Sequence, residues 1–378
     1  MKSRMKGGVA WALGAMLACA GAAQAADMSG ALSILLRDPD TGELGVAVLS
    51  HAPACGSFVP WVEAGVGVIA TQGETNGSWG PRGLQMLRDG VPVQGVVDSL
   101  MHSDEGYPRR QIGVLDATGW PAGYTGNDLV NWSGGILDSN LAAQGNTMPN
   151  HLVIEAVMDT VKGLTRLPLA ERLLAGLELA DQRRGDWRGA RSAALLVGRP
   201  NPARPEDATR FISLRVDDDP APVVALERLY RAWRAGRLVG AYLDYADAYR
   251  RADRPALAQV ELRRARGAVT EALADTTLGA PALNAMAWQL AQRGAMLDQA
   301  WAAIARAQLA EPRSTEFTDT AAEVRYRQGR VADALALATE ASKRVPPDEY
   351  LRSRVGFFTA EAKKQPAAGG GRSGKKKG

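Results

Sequence analysis

ALSILLRDPDTGELGVAVLSH, residues 31–51, decides the fold. Two apolar runs of strand length, ALSILLR and LGVAVLS, flank the turn-rich centre Pro39-Asp40-Thr41-Gly42, which predicts a β-hairpin. With Arg37 opposite Leu44, the numbers of facing residues sum to about 81. Ala31 then lies opposite Ser50 or His51, and Ser33 opposite Val48 or Leu49. Side chains alternate along a strand, so Ala31 and Ser33 share a face. The open end of the hairpin gathers Ser33, Ser50 and His51.

Outward from the hairpin the pattern runs strands, helices, strands. AGVGVIATQ (64–72) is a further strand, and PRGLQMLRDG (81–90) a short helix with Pro81 in its first turn. PVQGVVDSLMHSD (92–104) continues as a second helix. RQIGVLDATGWPAGYTG (110–126) is a second hairpin, turning at Ala117-Thr118-Gly119. NLAAQGNTM (140–148) is a strand leading into the helix PNHLVIEAVMDTVKG (149–163), with Val153, Val157, Met158 and Val161 on one face. LPLAERLLAGLELADQR (167–183) is a helix, and RSAALLVG (191–198) and RFISLRVD (210–217) are closing strands. Strand-rich ends around a helical middle predict an α+β layered fold over residues 26–219.

From about Pro220 the strand pattern stops. Leu226, Leu229, Tyr230 and Trp233 keep helical spacing, as do Leu238, Tyr242, Tyr245, Ala246 and Tyr249. GAMLDQAWAAIARAQLAEP from Gly294 and GRVADALALATEASKRVPP from Gly329 repeat at an offset of 35, with Asp298/Asp333 and Pro312/Pro347 in register. A glycine between helices, small alanines and a terminal proline resemble the tetratricopeptide helical hairpin. Residues 220–362 therefore read as an all-α helical-hairpin domain, with VGAYLDYADAYRRADRPALAQVELRRAR (239–266) as a divergent first unit.

The formal charge is +4, but RSGKKKG at the end supplies four positive charges within seven residues. The folded part is near neutral, and no clustered Lys/Arg pattern with interleaved aromatics points to nucleic acid. Residues 363–378, Gly-rich and basic, read as a disordered tail. Residues 1–25 read as a signal peptide: a basic start at Lys2, Arg4 and Lys6, the apolar run GVAWALGAMLACAGA, and Ala23-Gln24-Ala25 as cleavage site. Lipidation at Cys19 and an uncleaved anchor are the alternatives. The expected location is periplasmic or secreted, without a transmembrane span in the mature form. Cys55 is then the single cysteine, read as a small buried hydrophobe. The three histidines, His51, His102 and His151, are too scattered for a metal site, and no cofactor is expected.

Residues 31–229 resemble the domain-of-unknown-function 1028 family. The resemblance rests on the quoted hairpin and its continuation through GPRGLQML, on RRQIGVLDATG, AAQGNTM, LAERLLAGLELAD and GDWRGARSAALLV, and on ISLRVDDDPAPVVALERL. It implies an Ntn-hydrolase-like αββα sandwich. It further implies amide hydrolysis by an N-terminal Thr, Ser or Cys whose own α-amine is the base. Family members carry a Thr-x-Ser pattern at the first strand. Here the pattern reads Ala31-Leu32-Ser33, and alanine has no attacking atom.

Two routes to a nucleophile stay open: Ser33 with His51 as base, or a cut ahead of Ser29. Thr71, Gln72 and Asn76, with Gln144 and Asn146, sit at predicted strand ends as ligand-binding candidates, since neutral amides suit carbonyls and oxyanions. Two functions follow. One is hydrolysis of a linear amide in a small molecule or peptide. The other is a non-catalytic binding or scaffold protein whose helical repeats hold a protein partner. Nothing in the sequence fixes the oligomeric state.

Overall fold

The computed structural model describes residues 31–200, 204–344 and 349–364. The leader expected over 1–25, Ser29 and the tail expected at the end, from 365 onward, lie outside these residues. The chain divides into two compact units, 1–227 and 228–378. The division falls eight residues after the expected boundary, inside helix α6 (Pro222–Trp233).

Among its described residues the first unit holds ten strands: β1 (Ala31–Arg37), β2 (Leu44–Ser50), β3 (Pro60–Glu63), β4 (Gly67–Gly73), β5 (Arg110–Asp116), β6 (Pro121–Thr125), β7 (Trp132–Asp138), β8 (Leu141–Met148), β9 (Ser192–Gly198) and β10 (Ile212–Val216). They form a six-stranded sheet in the order β10-β9-β2-β1-β8-β7 and a four-stranded sheet in the order β3-β4-β5-β6. All pairings are antiparallel. The opening hairpin has the expected register, with Arg37 facing Leu44, Ser33 facing Val48 and Ala31 facing Ser50. The Asp38 carboxylate accepts the amides of Asp40 and Thr41 and so closes its turn.

Helices α1 (Trp79–Arg88) and α2 (Val93–His102) cover the outer face of the four-stranded sheet. Helices α3 (Leu152–Gly163) and α4 (Leu169–Gln182) cover the outer face of the six-stranded sheet, and α5 (Asp207–Arg210) is a single turn before β10. The layers run α, β, β, α, as the resemblance implies. Strand alternation sorts the hairpin between two cores. Ile34 meets α4 beside Gly176. Leu35, Val46 and Val48 point the other way and pack on Val68, Ala70 and Leu115 of the opposing sheet.

Two strands went unanticipated. β3 has four residues, PWVE, too few to show a period. β7 is an edge strand with Gly134-Gly135 at its centre and a register shift between Trp132 and Gly134. Glycine weakens the apolar alternation and often marks such a shift.

The second unit is all helical among its described residues. After α6 comes a π-helical segment, Arg234–Leu238, then α7 (Val239–Arg251), α8 (Pro255–Ala274), α9 (Ala280–Gln292), α10 (Leu297–Ala310), α11 (Thr315–Arg327), α12 (Val331–Ser342) and α13 (Glu349–Lys364). Helices α7 and α8, α9 and α10, and α11 and α12 pack as consecutive hairpins, and α13 packs on α12. Gly294 and Gly329 take φ of +60° and +79° in the turns, a conformation glycine adopts freely. Ala303 and Ala338, 35 residues apart, are both fully buried. α13 runs two residues past the expected end of the helical domain at 362.

Leu35→Ala empties a site between two sheets and is expected to cost about 2–5 kcal/mol. Val130→Ala, at a half-exposed loop position, should stay within about 0.5 kcal/mol. Urea denaturation of both variants checks the assignment; equal effects would refute this core.

Candidate functional site

Strand alternation brings Ser33 of β1, Gln72 of β4, Gln111 of β5, and Gln144 and Asn146 of β8 into the space between the sheets. Each is 95% or more buried. Gln72 and Gln111 are cross-strand neighbours, and so are Ser33 and Gln144. Burial without partners would cost each carboxamide a few kcal/mol, so they must satisfy one another.

They do so around Gln111. Its Oε1 accepts from Gln72 Nε2 at 3.2 Å and from Asn146 Nδ2 at 3.0 Å. Its Nε2 donates to Thr125 Oγ1 at 3.0 Å and to the carbonyls of Gly145 at 2.9 Å and Gly134 at 3.2 Å. Gln72 Oε1 accepts from Ser33 Oγ and from Gln144 Nε2, and Gln144 Nε2 also reaches the Ala70 carbonyl at 3.1 Å. One chain of side-chain amides thus ties both sheets together. Gly113 makes room for it, because a Cβ there would stand 3.1 Å from Gln144 Oε1.

Beyond Asn146 the backbone is strained. Thr147, 98% buried, has φ +57°, a left-handed conformation that β-branched residues avoid. Its hydroxyl donates to Asn146 Oδ1 at 3.0 Å. Such strain, of order 1–3 kcal/mol, persists only where the surroundings over-determine it, and it clusters at functional sites.

The remaining candidates lie elsewhere. Thr71 follows the opposite parity from Gln72 and donates to the Phe58 carbonyl at 3.2 Å. Asn76 shapes the entry to α1: its Oδ1 accepts from the Ser78 amide and hydroxyl, while its Nδ2 donates to Asp104 at 2.7 Å. Burial opposes the Asp104 carboxylate, but hydrogen bonds from Asn76, Arg110 and the Gly106 amide hold it below the usual carboxylate range. Ser50 sits between Ala31 and Ser192 in register, and its hydroxyl accepts the Ala52 amide at 3.0 Å. His51 lies past the end of β2, where its Nδ1–H donates to the Gly189 carbonyl at 2.7 Å.

Ser33 and His51 share no hydrogen bond. His51 stands three residues beyond Val48, the partner of Ser33, about 10 Å along the strand. The Ser33 proton is directed at a neutral carboxamide, which does not act as a base. No titratable group hydrogen-bonds into the carboxamide chain among the described residues. None of these residues forms a cluster of three or more His, Cys, Asp or Glu fit to hold a metal ion. Gln111, the hub, was not among the candidates. Its signal was its register opposite Gln72, which a single sequence hides because β4 and β5 are joined by a long helical connection.

Cys55 is fully buried in the inter-sheet core. Burial pushes its thiol up to about 12, against a hydrogen bond from Ser192 that acts the other way. The folded protein therefore keeps a neutral thiol through the pH range in which a free cysteine, with a pKa of about 8.5, ionises. Iodoacetamide should label Cys55 only after unfolding, as located by peptide mapping; labelling of the native protein would contradict this burial. Gln111→Leu strands several buried groups and is expected to cost about 2–3 kcal/mol, while Ser33→Ala should cost about 1 kcal/mol. Denaturant titrations of the two variants give both values.

The family model described as a family of unknown function, DUF1028, matches residues 31–226. A protein of Silicibacter pomeroyi whose crystal structure carries the same family designation is 31% identical. The match covers 54% of this chain and 89% of that one, with a TM-score of 0.49. No curated protein matches the chain. By the family match, which spans half its length, the chain belongs to the DUF1028 family.

Proposed function

We propose that this chain is a binding protein built on an Ntn-hydrolase-like sandwich that has lost hydrolysis. The Ser33 hydroxyl carries the reading. It gives its proton to the neutral Gln72 carboxamide, inside a chain of neutral amides. Position 31, where the resemblance expects a nucleophile, is alanine. An activated hydroxyl needs an adjacent base, and no His, Asp or Glu hydrogen-bonds to Ser33 among the described residues.

The same groups suit recognition of a neutral amide. The Gln144 and Asn146 side chains and the strained turn at Thr147 carry amide and hydroxyl groups but no charge, and a ligand would reach these buried groups by exchanging bonds they now make with one another. They match a peptide-like group in a small molecule or peptide. The helical unit, read as tetratricopeptide-like hairpins, supplies a second face for a protein partner. Export to the periplasm or beyond is part of the proposal and rests on the leader-like start of the sequence.

The test is turnover of linear amides, with N-acetyl-L-alaninamide as first probe. The wild type, Ser33→Ala and Ala31→Thr should all release amine at the buffer rate, while calorimetry detects binding of the probe to the wild type. Amine release by the wild type that Ser33→Ala abolishes would make Ser33 a nucleophile and overturn the proposal. A gain of turnover in Ala31→Thr would reveal a latent hydrolase and also count against it.

A further inference from the structure

A groove of about 520 Å³ opens in the helical unit. It is lined by Asn284 and Trp288 of α9, Glu316, Asp319 and Thr320 of α11, and Tyr350 of α13, among others. Asn284 and Asp319, 35 residues apart, present the same helix position from successive hairpins. None of the groove-lining residues is basic.

Asn284 is 96% buried. Its Nδ2 donates to Glu316 Oε1 at 2.7 Å, but its Oδ1 meets no donor among the described residues. A buried oxygen without a donor is costly and calls for an N–H or O–H from outside. The charges around it are paired, with the exposed Glu316 as the exception. Arg354 pairs with Asp319 and Glu323, and Arg327 pairs with Glu323. Tyr350 donates to Asp319 Oδ2 at 2.8 Å, and burial, aided by that carboxylate, pushes its hydroxyl up to about 12, so it stays a donor. Glu316 has no ion pair among the described residues, and its Oε2 carries no hydrogen bond there. A group with a positive charge and several N–H donors would complement both oxygens. Trp288, half-buried on the groove wall, provides an aromatic face of the kind that attracts cations and covers their alkyl stems.

We infer that this groove binds an alkylguanidinium group, whose fork of N–H donors meets Asn284 Oδ1 and Glu316 Oε2 while its stem lies against Trp288. A guanidinium fits better than an ammonium because it presents several donors in a planar fork to two separate acceptors. This inference deepens the reading of the helical unit as a partner-binding face. It does not depend on the sandwich, so amide turnover and groove binding fail or succeed separately.

Isothermal titration of the full chain tests it with three probes: agmatine, the peptide acetyl-Ala-Arg-Ala-amide, and the same peptide with citrulline in place of arginine. The arginine peptide or agmatine should bind saturably, and the uncharged citrulline peptide at least about tenfold more weakly. Glu316→Gln, at an exposed position that leaves the fold intact, should weaken binding by a similar factor, as should Asn284→Leu. A peptide that binds tenfold tighter than agmatine identifies a peptide side chain as the source, whereas equal binding identifies a free small guanidine. The inference is overturned by absence of saturable binding, by equal affinity for the citrulline peptide, or by an unchanged affinity in Glu316→Gln.

Discussion

Polar side chains closed between two β-sheets have to find all their hydrogen-bond partners in each other, and in this protein one carboxamide, Gln111, makes that possible. It takes two donors on its oxygen and reaches three acceptors from its nitrogen, drawn from both sheets. Other features of the sandwich follow from keeping that set complete. Gly113 leaves the space Gln144 needs. Thr147 is held in a conformation it would not choose, with its hydroxyl on Asn146. The pairing of β1 with β8 sets Ser33 directly across from Gln144, within reach of Gln72. A partly satisfied network of this kind would be worse than an apolar core, which is why its members are interdependent.

That interdependence also determines the chemistry. A serine hydroxyl becomes a nucleophile when a base withdraws its proton. Here the proton is committed to an amide oxygen that has almost no basicity, and the nearest histidine in the hairpin is anchored to the Gly189 carbonyl. Alanine at position 31 and the hydrogen-bonded hydroxyl of Ser33 are the observations on which the proposed loss of hydrolysis rests, and in that proposal the neutral amides serve recognition. The helical unit differs in kind: its groove has an excess acceptor oxygen and an unpaired carboxylate among the described residues, and so suits a cation.

Much of this was legible in the sequence. The first hairpin could be registered to the residue because its turn is short and its two runs are strongly apolar. The 35-residue repeat showed itself through Gly294 and Gly329, where the turn demands glycine. What escaped notice did so for physical reasons. β3 is too short to display a period, and the glycines of β7 erase one. Thr71 and Gln72 are sequence neighbours on one strand, so alternation sends them to opposite faces; proximity in sequence misled where parity would have separated them. Asn76 has the composition of a ligand-binding amide but serves a turn. Gln111 needed the pairing of β4 with β5, a contact between strands separated by two helices that no local pattern encodes.

The inertness of the Ser33 hydroxyl underlies the whole account and can be examined without a known substrate. Purified protein incubated with a hydroxyl-directed β-lactone electrophile, then digested and mapped by mass spectrometry, should carry no adduct on Ser33 or on any other serine or threonine beside β1. An acyl adduct on Ser33 that forms in the native protein and disappears on denaturation would show a hydroxyl activated by the fold, and would contradict the account.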